Sequence, residues 1–151
     1  MTGKVETDIS AAPFDADMQA ATFREDNPAA GAIVIFMGQV RDENETVTAL
    51  KLEHYPGFTE RSIDAIARSA AERWALNAVR VCHRVGDLAP GETIVFVAAA
   101  AAHRRAAFEA ADYLMDYLKS EAPFWKQEVT VSGTRWIEPK EQDIKDKTRW
   151  R

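Results

Sequence analysis

HRRAAFEAADYLMDYLKSEAPFWKQE, residues 103–128, is the stretch on which the reading of this chain turns. Phe108, Ala111, Met115 and Leu118 recur at helical spacing, with Tyr113, Leu114 and Tyr117 widening the stripe, which predicts a helix over 104–120. Pro123 ends it, because proline has no N–H to donate and its ring clashes with the turn before it. Residues 125–132 then read as a strand, Gly133 as a turn and residues 134–138 as a second short strand. The break Ala122-Pro123-Phe124-Trp125 is flanked by Lys119 and Lys126. A helix feeding an apparent hairpin points to mixed rather than alternating architecture.

Upstream, Asp15 reads as the N-cap of a short helix reaching about Phe23. Residues 31–41, apolar on both faces, read as a central strand, and 42–46 as a polar loop. A strand over 47–55 is broken by Pro56-Gly57. An amphipathic helix follows over 58–74, with Ile63, Ile66, Ala67, Ala70 and Trp74 on its inner face. Residues 78–85 and 93–99 read as strands, with Gly86-Asp87 and Pro90-Gly91 as turns between them. Five alanines then lead to His103. Strands in adjacent pairs suggest antiparallel pairing, hence an α+β class with a largely antiparallel sheet and packed helices. The 151 residues make one domain, 1–151, with residues 1–12 and 139–151 expected to be loosely ordered.

Composition narrows the function. A formal net charge of -5 disfavours nonspecific nucleic-acid binding, although a cleft can still be locally basic. A single cysteine, Cys82, cannot build a disulfide framework or a thiolate metal site, and His54, His83 and His103 lack metal-ligand spacing, so no metal and no cofactor are expected. No apolar run reaches the ~18 residues of a membrane span, so the expectation is a soluble, cytoplasmic protein with no membrane partner. No G-x-G-x-x-G, P-loop or G-x-S-x-G is present.

Lys119, in the last turn of its helix, suits the helix dipole, and Lys126 on an amphipathic strand would ordinarily face water. Held together by a proline and walled by two aromatics, each disfavours the other's charge, which makes an amine usable as a nucleophile or acid–base group. His103 and Arg104 stand at a helix start, where free N–H groups favour anions. Arg41 ends a strand and is either an anion clamp or an edge charge. His103 and Lys119 are about 24 Å apart along one straight helix, so one small ligand reaches both only if two copies share a pocket. A homodimer is the expectation. Met37, Met115, the aromatics and Cys82 read as core.

Longer segments carry a resemblance. GQVRDEN at 38–44, LEHYPGFTE at 52–60, HRVGDLAPGE at 83–92, AHRRAAFEA at 102–110 and MDYLKSEAPFWKQE at 115–128 together resemble the large, catalytic subunit of molybdopterin synthase, the MoaE family. The resemblance implies a β-hammerhead type of α+β fold. It implies a central homodimer within a heterotetramer, with a small ubiquitin-like, MoaD-like subunit bound at each end. The small subunit's thiocarboxylated C-terminus would give sulfur to cyclic pyranopterin monophosphate (precursor Z), forming the molybdopterin dithiolene. Carried over residue by residue, Lys119 and Lys126 match catalytic positions. Gln39, Val40, Arg41, His103, Arg104, Gln127 and Glu128 match substrate-binding ones. Gln39 and Gln127 stand where basic residues are common in the family, which thins the positive charge. The alternatives are a non-catalytic module binding a phosphorylated small molecule or a protein tail, and an acyl-transfer or hydrolytic enzyme using Lys119.

Overall fold

The computed structural model describes residues 3–42, 47–137 and 140–150. Along the chain these form β1 (Lys4–Ser10), α1 (Ala16–Asp26), β2 (Ala32–Gln39), β3 (Val47–His54), α2 (Phe58–Arg73) and β4 (Ala78–Arg84). Then come β5 (Gly86–Leu88), β6 (Thr93–Ala101), α3 (Arg104–Ser120), β7 (Phe124–Thr130), β8 (Gly133–Ile137) and α4 (Glu141–Thr148). The strands make two four-stranded sheets, ordered β1-β4-β6-β2 and β5-β3-β7-β8. Every pairing is antiparallel except β1 with β4. The α+β class holds. Among the described residues, no helix is long and apolar enough to cross a membrane.

Helices cover both faces of the first sheet. On one side α2 and α3 pack Ile63, Ala67, Ala70, Ala107, Ala110 and Leu114 against Val79, Val81, Val97, Ala99 and Ala101. On the other, Phe23 of α1 meets Cys82, Phe96, Ala98 and Ala100. Of the alanine run, residues 98–101 belong to β6 and are at most 1% exposed, so the methyl-lined strand lets both layers approach closely. A smaller cluster of Val40, Leu52 and Leu88 fills the seam between the two sheets.

Several expectations are corrected. Residues 31–41 do not form a central strand: β2 edges its sheet. Both its faces are apolar because one helical layer receives Val34 and the other Ile33 and Ile35, not because strands flank it. The Gly86-Asp87 turn is the start of β5, which pairs Leu88 with Leu50. Residues expected to be loose take regular structure: Lys4–Ser10 run parallel to β4, and 141–148 form α4. The buried residues of α3 are Ala107, Ala110, Ala111, Tyr113, Leu114, Asp116 and Leu118, whereas Phe108 is 62% exposed. Alanines contribute little to a hydrophobic pattern, so the larger Phe108 misled the reading. Residues 43–46 of the expected loop, and Glu138 of the expected last strand, lie outside the described residues.

Candidate active site

Three chain segments meet at the seam. The end of β2 brings Gln39, Val40 and Arg41. The last turn of α3 brings Lys119. β7 brings Lys126 and Glu128. With Met115, His83 and Phe124 they line an open cleft of about 1090 Å³. Val40 anchors its segment: its N–H donates to the Glu92 carbonyl at 2.9 Å, and its carbonyl accepts from the Gly91 N–H at 2.8 Å. In β7 the register sets Lys126 between Leu52 of β3 and Ile137 of β8. Strand alternation then points Phe124, Lys126 and Glu128 to one side.

Charge in the cleft favours anions. Arg41, Lys119, Lys126, Arg135 and Lys140 face it, against Glu121, Glu128 and Asp143. Two of those acids are already paired, Glu128 with Arg135 at 2.8 Å and Glu121 with Lys147. Burial pushes the Lys126 ammonium down to about 8, Lys119 pushes the same way, and Asp143 opposes both. Lys126 is thus poised to exchange a proton near neutral pH.

Beneath the lysines His83 stacks on Phe124, with ring centroids 4.0 Å apart and planes at 16°. Its Nδ1 lies 2.7 Å from the Arg84 carbonyl, which can only accept, so Nδ1 carries the proton. Burial holds the His83 ring down to about 4, despite that hydrogen bond, and the charges of Lys126 and Lys119 add to the effect. His83 is a neutral floor for the cleft.

The cleft gathers Gln39, Val40, Arg41, Lys119, Lys126 and Glu128 of the residues singled out from sequence. Gln127 is not among its lining, because it alternates to the other side of β7, opposite Trp136. His103 and Arg104 lie at the far end of α3, exposed, and the His103 side chain does not cap the helix. Met37 and Met115, expected in the core, instead line the cleft, Met37 at 47% exposure. Trp125 and Trp136 are also exposed, at 45% and 60%. His83, Arg135 and Lys140 were missed, since an alternating strand and a charged tail carry no local mark of a shared site.

The MoaE protein family model matches residues 9–121, three quarters of the chain. The chain belongs to the MoaE family. A family relative from Caulobacter vibrioides, named molybdopterin synthase catalytic subunit, is 54% identical over 138 residues, covering 91% of this chain and 92% of its own. One of the same name from Escherichia coli (strain K12) is 52% identical over 122 residues, covering 80% and 81%. Among solved MoaE structures, the molybdopterin biosynthesis MoaE protein from Burkholderia ambifaria superposes with a TM-score of 0.79 at 42% identity, covering 98% of this chain and 97% of its own. The MoaE match stops just after the α3 end that carries Lys119, so Lys126 rests on the longer pairwise similarities and on the cleft itself.

Proposed function

We propose that this chain is the catalytic subunit of a molybdopterin synthase. Its reaction is sulfur transfer from the thiocarboxylated C-terminus of a small ubiquitin-like subunit to precursor Z, giving the molybdopterin dithiolene. The observation that carries the reading is the pair Lys119 and Lys126 in one cationic cleft, with Lys126 held at about 8 by burial and by its neighbour. Both the phosphate ester and the thiocarboxylate are anions, and the cationic lining suits both. Lys119, more exposed, holds the incoming tail; Lys126 contacts the pterin and moves protons. Arg41 and the backbone around Gln39 and Val40 grip the phosphate side, while Glu128, held by Arg135, lines the β7 wall and Gln127 points away from this cleft. The sulfur comes from the partner tail, since Cys82 is buried and 3% exposed. The relatives' own name, a subunit, fits a partner protein.

His103 and Arg104 complete the pocket of a second copy, which makes the working unit a homodimer at the centre of a heterotetramer. The setting is the cytoplasm. The test is reconstitution: purified chain, thiocarboxylated small subunit and precursor Z are mixed, and the dithiolene product is measured. Lys119→Ala and Lys126→Ala each lower turnover by about 10²-fold or more while circular dichroism and partner binding are retained. No product from the intact chain would defeat the reading.

A further inference from the structure

Thr59 is the second residue of α2 and is 0% exposed. Its Oγ1 donates to the Pro123 carbonyl at 2.9 Å and accepts from the Tyr55 N–H, also at 2.9 Å. The Thr59 N–H in turn donates to the Tyr55 carbonyl at 2.9 Å. One small side chain therefore joins the end of β3, the start of α2 and the turn between α3 and β7, across 64 residues of sequence. Only a hydroxyl can donate to one backbone group and accept from another at this size. The segment it holds is the one between the lysines: Pro123 is four residues after Lys119 and three before Lys126. On the side-chain face the same turn rests on the Phe124–His83 stack.

We propose that Thr59 is a positioning residue for the lysine pair, its buried hydroxyl fixing the turn at Pro123 and so the placement of Lys119 relative to Lys126. The catalytic consequence rests on the reading of those lysines as the working pair; the structural consequence does not. Without the hydroxyl, the Tyr55 N–H and the Pro123 carbonyl lose their partner on the buried Thr59 side chain, and the turn shifts or admits water to satisfy them. Either change exposes Lys126 and alters its spacing from Lys119, whose charge acts on it. The other charged or titratable groups around the cleft are Arg41, His83, Glu121, Glu128, Arg135, Lys140 and Asp143, whereas the Thr59 hydroxyl bonds to the backbone of Tyr55 and Pro123. A shift in the behaviour of Lys126 on changing Thr59 is therefore transmitted through the turn.

The test compares wild type with Thr59→Val, Thr59→Ala and Thr59→Ser in the full chain. Competitive amine labelling followed by mass spectrometry gives the pH midpoint at which Lys126 becomes reactive. The midpoint expected for wild type is about 8, below the ordinary lysine value. In the valine and alanine variants the midpoint moves towards the ordinary lysine range, and serine restores it. In reconstituted enzyme the same two variants lose about ten- to hundred-fold in kcat with little change in KM for precursor Z, the size expected of a small misplacement. An unmoved Lys126 midpoint would overturn the proposal, as would serine failing to restore it. Failure of both hydroxyl-free variants to fold would overturn it too, because the hydroxyl would then serve the fold alone. A midpoint that moves as expected in a chain that makes no dithiolene would uphold the positioning role and reject the catalytic reading.

Discussion

At Lys126 the burial that makes an amine usable near neutral pH also weakens the folded chain. Its folded value of about 8 lies below the ordinary lysine value of 10.5. The unfolded chain therefore binds more protons between those two pH values, and stability rises with pH across that window. Below pH 8 the cost is present in full. Lys126→Met accordingly stabilises the chain at pH 7 by roughly 1–3 kcal/mol, after allowing for water at the open cleft. The gain fades as pH approaches 10, which denaturant midpoints at the two pH values will show. His83 titrates with the same sign lower down. Its folded value of about 4 lies below the ordinary 6.5, so its contribution is complete above pH 6.5 and is lost as pH falls towards 4. In His83→Phe the ring stack on Phe124 is kept and that stretch of the stability–pH profile flattens. Neither role of His83 is visible in the sequence: it alternates in a strand as any half-buried residue does, and its partner Phe124 lies 41 positions away.

Element by element, legibility followed locality. The helix α3 was readable to its ends, because its start, stripe and terminating proline lie within one short stretch. So was α2 after Pro56-Gly57, and α1 at its start, where Asp15 accepts from the Met18 N–H at 3.1 Å, although α1 runs past Phe23 to Asp26. Gly57 sits at φ +85°, a conformation that favours glycine, and its N–H donates to Glu60 at 3.0 Å. What could not be read was pairing between distant segments: β1 beside β4, β5 beside β3, and the docking of the C-terminal helix. That last contact is specific. Asp116 of α3 accepts from Arg149 Nε at 3.0 Å and from the Trp150 indole, whose ring packs edge-on to Trp74 at 5.6 Å. Trp150→Ala removes the anchor and lowers stability by roughly 1–3 kcal/mol, since the ring is only partly buried. Hydrogen exchange of the α4 amides rises with it. Lys140 and Asp143 line the cleft, so the same variant perturbs one wall of the site.

For the molecule as a whole, the length of α3 underlies the proposal that two copies share a site. Lys119 and His103 bracket that helix, and the cleft gathers the first without the second. Complementation tests the sharing. His103→Ala and Lys126→Ala are each inactive alone. Refolded together they form mixed dimers with one intact pocket, recovering about a quarter of wild-type activity if subunits pair at random. No recovery would show that each subunit works unaided. The same helix has a mechanical side. Ala107 and Ala110 lie in one cluster with Ala99 and Ala101 of β6, methyl against methyl, near the His103 end. A larger side chain there would act as a wedge at one end of a lever about 25 Å long. The far end, where Lys119 sits, would swing by more than the wedge itself is thick. The alanines packed between α3 and β6 thus work as shims that set the aim of the helix end carrying Lys119.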